Sequence, residues 1–158
     1  MSEAPQPQPA QGATFQIEKV YVKDLSLEIP HAPQVYAEQV QPQIDVQIES
    51  SESRFQEDFY EVTLSATVTA RAGERTVFLA EAVQGGIFAL RNIPETDLGP
   101  LLGIACPTVL FPYLRETISD LITRGGFPPL LLAPISFEQL YMQRLQRQQG
   151  GSPQQLAS

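Results

Sequence analysis

The chain has 158 residues, a length that suits one domain and allows a substantial core. Hydrophobic residues make up 42% and charged residues 18%, and 10 Lys plus Arg stand against 18 Asp plus Glu, a net charge of −8. That balance argues against nucleic acid, which needs a basic stripe, and against a membrane-surface role, which needs polybasic segments.

Residues 1–14 are rich in Pro, Gln and Ala and bury too little apolar surface to offset ordering, so a disordered tail is expected there. No basic or apolar leader is visible at the N-terminus. Residues 15–23 read as a first strand, with Phe15, Ile17 and Tyr21 on one face and Val20 and Val22 on the other. Residues 24–42 carry Pro30, Pro33 and Pro42, which argues against regular structure. Ile44, Val46 and Ile48 alternate with Asp45, Gln47 and Glu49 as a second strand. Residues 60–70 form a third, with Tyr60, Val62, Leu64, Ala66, Val68 and Ala70 on one face. A hairpin turn at 71–74 leads into a fourth strand over 76–90, where Gly85-Gly86 predicts a bulge or a close backbone approach.

The second half reads as helical. Pro107 suits a first helical position, and Phe111, Leu114, Ile118, Leu121 and Ile122 make a wide apolar stripe. Gly125-Gly126 ends that helix, prolines hold residues 127–134 (FPPLLLAP) extended, and Ser136 with Gln139 caps a last helix. The domain therefore spans 15–148, and 149–158 reads as a flexible tail. The longest uncharged run, residues 98–114, holds three prolines and falls short of the roughly 20 residues needed to cross a bilayer. Four strands followed by helices predict an α+β fold, an antiparallel sheet with segregated helices. The apolar supply exceeds what one such layer pair needs, which points to oligomerisation.

Charge is uneven. Residues 15–70 hold ten acids against three bases, whereas residues 101–148 hold three acids and four bases. The acidic half reads as a solvated face or as a dock for a basic or metal-bearing partner. Catalytic chemistry is poorly supported: no HExxH, CxxC, Walker A or GxGxxG occurs. A dyad of Cys106 with His31, the single histidine, is formally possible, but Cys106 lies in an apolar run and reads as a buried thiol. One Cys excludes a disulfide framework or multi-cysteine zinc site and fits a reducing compartment, so a soluble cytoplasmic protein is expected. No residue is assigned to catalysis or to a metal. Gly99 and Gly103 match GxxxG, a weak signal outside a membrane. Apolar side chains in excess of one core, flanked by Pro and Gly segments, suit binding of apolar peptide or an ordinary oligomer interface.

Four blocks in order carry a family resemblance: FQIEKVYVKDLSLEIPHAP (15–33), FLAEAVQGGIF (78–88), LGIACPTVLFPYLRE (102–116) and RGGFPPLLLAPISFEQLY (124–141). The chain resembles SecB, the tetrameric cytosolic protein-export chaperone family. The resemblance implies a four-stranded antiparallel sheet with helices on one side, assembled as a dimer of dimers. It implies an ATP-independent holdase that keeps unfolded preproteins competent for export and passes them to the ATPase SecA. It implies no cofactor, since the zinc belongs to the C-terminal tail of SecA.

Carried over residue by residue, the SecA dock matches Asp24, Glu28, Leu79 and Glu81. Three carboxylates around one leucine suit a small basic domain. The client groove matches Ile44, Val46 and Ile48, then Phe127, Leu130 and Leu132, then Phe137, Leu140, Tyr141 and Met142. The long helix would lie between dimers, with Phe111, Leu114, Ile118 and Leu121 at the tetramer interface. The chain departs from the family in lacking a tryptophan before the second strand, where Val40 lies, and in having Pro129 and Leu131 where polar residues are common. An alternative keeps the fold but has the chaperone control a toxin–antitoxin pair.

Overall fold

The structure is a computed structural model and describes residues 12–150. The tail expected over 1–14 lies outside those residues up to position 11, as does 151–158 of the C-terminal tail. Four long strands form one antiparallel sheet: β1 (Thr14–Glu28), β2 (Gln43–Gln56), β3 (Phe59–Ala72) and β4 (Arg75–Arg91). Their order is β1-β4-β3-β2, so β1 and β2 are both edge strands. The helical layer covers one face: α1 (Glu95–Pro100), a π-helical stretch (Leu101–Ala105), α2 (Cys106–Arg124) and α3 (Phe137–Gly150).

β3 and β4 are central and have the strictest alternation. On the helix side, Val62, Leu64, Ala66, Val68 and Ala70 meet Gly86, Gln84, Ala82, Ala80 and Phe78 across the ladder. These β3 side chains are fully buried, because α2 lays its apolar stripe over them. The hairpin between β3 and β4 is a two-residue turn with Gly73 at φ +63°, a left-handed conformation that glycine adopts without a Cβ penalty.

Gly85 and Gly86 are sites of close approach, and the β3–β4 register runs through them unbroken. A Cβ on Gly85 would stand 2.5 Å from the Tyr21 ring, and one on Gly86 would stand 2.8 Å from Leu110 and from Phe88. Aromatic and aliphatic side chains thus occupy the space that the two glycines leave on opposite faces.

Four expectations need correction. β1 runs to Glu28, into a segment read as irregular, and a 3-10 turn (Gln34–Ala37) follows within the Pro-rich stretch. The facing of β1 also differs, since its register skips at Glu18 and again at Lys23. Each skip is a bulge that flips all later side chains. Val20 and Val22 therefore join Phe15 and Ile17 on the helix side, and Tyr21 lies on the opposite face.

The long helix does not start at Pro107. Helical structure runs from Glu95 to Arg124, and a wide turn in which the Cys106 N–H bonds to the Leu101 carbonyl precedes Pro107. Proline lacks the N–H that an α-turn would use and clashes with the carbonyl four residues back, and a π turn accommodates both. At thirty residues this run is long and apolar enough to cross a membrane by length and composition, although the uncharged run within it is shorter and broken by prolines. Its apolar stripe is taken up by the sheet.

Finally, Phe111, Leu114, Ile118 and Leu121 are 7%, 0%, 0% and 8% exposed within a single chain. They face the chain's own sheet and have no surface left for another subunit. The helix termination at Gly125-Gly126 is as expected, with Gly126 at φ +86° and its N–H bonded to the Thr123 carbonyl.

Candidate functional site: one sheet with two working faces

The face of the sheet without helices carries all four residues expected to form the acidic dock. Glu28 pairs with half-buried Leu79, Ser26 with Glu81 and Asp24 with Val83, so the three carboxylates and the leucine lie in one row along the β1–β4 ladder. The Ser26 hydroxyl reaches the Glu81 carboxylate at 3.5 Å. Asp45 and Glu49 of β2 share this face, opposite Thr69 and Ser65.

Farther along, the charge is compensated. Lys23 Nζ lies 2.7 Å from Glu61 Oε1, and the Tyr21 hydroxyl donates to the other oxygen of the same carboxylate. The lysine and the phenol hold Glu61 below the usual carboxylate range. Burial, then the hydrogen bond and charge of Glu61, push the Tyr21 phenol up to about 12. The uncompensated acids are thus concentrated around Leu79.

The other face carries a trough along β2. Ile44, Val46 and Ile48 all point to the helix side, paired with Ala70, Val68 and Ala66. They remain partly open because α2 covers the centre of the sheet and not this edge. Three cavities follow one another here. The first, of about 520 Å³, is lined by Val35, Tyr36, Ile44, Phe78, Phe127 and Leu130. Its aromatic wall is fixed by contact, with Phe127 centred 4.8 Å from Phe78 and 5.6 Å from Tyr36. The Tyr36 hydroxyl donates to the Gly125 carbonyl at 2.6 Å, which ties the 3-10 turn to the end of α2.

The second cavity, of about 510 Å³, shares Leu130 with the first and adds Val46, Ile48, Leu132 and Leu140. The third, of about 290 Å³, shares Ile48 and Leu140 and adds Ser50, Phe137, Tyr141 and Arg144. Ser50 Oγ is buried there with no hydrogen-bond partner. Ile44 to Ser50 is seven residues of strand, about 20 Å of extended chain. Because β2 is an edge strand, its outward N–H and C=O groups border the trough.

The expected groove residues are not equivalent. Ile44, Val46, Ile48, Phe127, Leu130 and Leu140 line open apolar surface. Leu132 and Phe137 are each 4% exposed, and Phe137 packs edge-on against Phe111, so both are largely core. Tyr141 is an anchor for α3: a Cβ on Gly103 would come within 2.5 Å of its ring, and one on Gly99 within 2.7 Å of its hydroxyl. The GxxxG spacing is thus a socket for one tyrosine side chain, ring and hydroxyl together. Arg144 lies over that ring and pairs with Glu52 at 3.3 Å. Met142 is 53% exposed and lines none of these three cavities.

Sequence reasoning missed Val35, Tyr36 and Phe78. The signal was present as an apolar Val-Tyr pair inside a Pro-rich segment, where apolar residues need a reason to be. Cys106 is 0% exposed, and burial pushes its thiol up to about 12, so it is no nucleophile near neutral pH.

The family described as "Preprotein translocase subunit SecB" matches residues 8–148. The chain belongs to the SecB family. A protein-export protein SecB of Chromobacterium violaceum is 57% identical over 153 residues, 96% of this chain and 99% of the relative. Another of the same name, from Neisseria meningitidis serogroup C, is 50% identical over 96% of this chain and all of the relative. Membership makes the chain an export chaperone and not an enzyme.

Among solved structures, a SecB-like chaperone of Mycobacterium tuberculosis, in complex with a ChAD peptide from the HigA1 antitoxin, superposes with a TM-score of 0.63. It is 20% identical and covers 77% of this chain and 90% of that one. That likeness concerns the fold. The toxin–antitoxin alternative is not favoured, since the relatives at 50–57% identity are protein-export proteins.

Proposed function

We propose that the chain is an ATP-independent cytoplasmic holdase that keeps preproteins unfolded in the β2 trough and delivers them to SecA through the open sheet face. The observation that carries this reading is the division of labour between the two faces of one sheet. An extended client offers apolar side chains to three adjoining cavities and backbone groups to an unpaired strand edge. Folded proteins have already buried both, so selectivity for unfolded chains needs no sequence code. The zinc-bearing tail of SecA, a small basic domain, meets Asp24, Glu28 and Glu81 around the apolar anchor Leu79.

The working unit is a dimer of dimers. β1 is an edge strand whose helix-side residues Phe15, Ile17, Val22 and Leu25 are 38%, 45%, 46% and 44% exposed, with Tyr113 of α2 at 51%. This half-open apolar strip supports pairing with a second copy. The solvent side of α2, with Arg115, Glu116, Ser119 and Asp120, supports a more polar contact between pairs.

Native mass by light scattering tests the reading, alone and with a reduced, unfolded model protein. A species of about 70 kDa, four times 17.4 kDa, that gains client is expected. A monomer indifferent to the client would remove both the assembly and the holdase reading.

A further inference from the structure

With the first bulge of β1 in place, unbroken pairing beyond Val22 would present the wrong residues. Val22 pairs with Gln84, so continuous pairing would set Lys23 opposite Val83 and Asp24 opposite Ala82, on the helix side. Instead Lys23 is skipped and Asp24 takes Val83. The bulge turns Asp24, Ser26 and Glu28 onto the open face, beside Glu81 and Leu79, and sends Leu25 and Leu27 to the helices. The skip at Lys23 thus reverses the flip made at Glu18, and the β1 share of the acidic face depends on it.

Gln84 lies under that bulge. It is 3% exposed, the one buried polar residue in the core of the described residues. Its Nε2 donates to the Tyr21 carbonyl at 3.1 Å, and its Oε1 accepts from the Thr117 hydroxyl at 3.2 Å. The amide thus bridges β1 to α2 through the apolar layer, where a leucine of similar size would fill the space without desolvating a polar group. From the open face, Tyr21 and the skipped Lys23 both reach Glu61, so the bulge is held on both sides.

We propose that Gln84 is a positioning residue for the acidic face: by tying the Tyr21 carbonyl to Thr117 it holds the bulge at Lys23 that turns Asp24 and Glu28 outward. Its purpose rests on the docking reading above, whereas its geometry is testable separately.

The test introduces Asp24→Cys into the full chain and follows the rate of thiol labelling. Cys106, fully buried, gives no background. Adding Gln84→Leu is expected to slow labelling at position 24 at least tenfold, as the strand loses the second bulge and pairs without a break beyond Val22. In Gln84→Leu alone, affinity for a zinc-loaded peptide of the SecA tail is expected to fall at least tenfold, with client affinity changed less than twofold. An unchanged labelling rate in the folded double variant overturns the proposal. If Gln84→Leu does not fold, Thr117→Val removes one of the two bonds. A threefold slowing is then expected, and an unchanged rate overturns the proposal in the same way. Slower labelling with tail affinity unchanged in both Gln84→Leu and Glu81→Gln would uphold the positioning role and overturn the docking reading. Tail affinity lost in Glu81→Gln but kept in Gln84→Leu would overturn the proposal alone.

Discussion

The open face and the trough are built from the same four strands, and alternate residues serve one or the other. On β2, Ile44, Val46 and Ile48 face the trough, whereas Asp45, Gln47 and Glu49 face the open side. The open face concentrates fixed charges around one leucine, an arrangement suited to a single partner of defined shape. The trough offers apolar area and a strand edge, an arrangement suited to many extended chains. On the proposed function, two recognition tasks with different demands for specificity share one scaffold, and a substitution on either face should disturb only its own task.

The largest separation is expected from Leu79→Ala combined with Glu81→Lys. It should weaken SecA binding at least 30-fold, about 2 kcal/mol, with client affinity and native mass unchanged by titration calorimetry and light scattering. Equal losses at both ligands would break the division between faces. Next, Val46→Asp, at a position 38% exposed, should leave the fold intact. It should weaken client binding about tenfold, about 1.4 kcal/mol, and leave SecA binding within twofold.

Raising salt from about 0.05 to about 0.5 M should sharpen the contrast. SecA affinity is expected to drop severalfold as the carboxylates around Leu79 are screened, while client affinity holds. At the far end of the trough, Gly103→Ala places a methyl where the Tyr141 ring sits. It should loosen α3, seen as faster amide exchange over 137–150, and leave SecA affinity unchanged.

The smallest effect is the pH dependence of the Tyr21–Glu61–Lys23 cluster. The Glu61 carboxyl is depressed below 4.5, so its contribution is fully present above pH 4.5 and is lost as pH falls through the lowered value. Glu61→Gln should therefore cost less than about 1 kcal/mol in urea unfolding at pH 7, because Lys23 is half exposed, and progressively less as pH falls below 4.5.

Much of the acidic face was legible because strand alternation needs only a period of two and β4 obeys it. β1 was legible in a subtler way. Its apolar residues Phe15, Ile17, Val20, Val22, Leu25 and Leu27 are spaced two, three, two, three and two apart, and each step of three is one bulge. Unbroken alternation along this strand would put Tyr21 on the wrong face.

The trough was half legible. Ile44, Val46 and Ile48 announce an apolar strand face, but whether a helix covers them depends on where α2 crosses the sheet. The same holds for Phe111, Leu114, Ile118 and Leu121, an apolar stripe that fits a subunit interface or an internal core equally well by pattern.

By itself, then, the sequence determined the strand faces of β2, β3 and β4, the turns at Gly73 and Gly126, the cap at Ser136 and the family, because these rest on local periodicity, backbone freedom and ordered blocks of residues. Tertiary structure alone decided that α2 spends its stripe on its own sheet and that Tyr141 seats on Gly99 and Gly103. It also decided that Tyr36 and Phe78 join Phe127 in one aromatic wall. The physical reason is that burial is a property of pairs of surfaces: periodicity shows which side chains seek cover, and only the packing of distant segments shows what covers them.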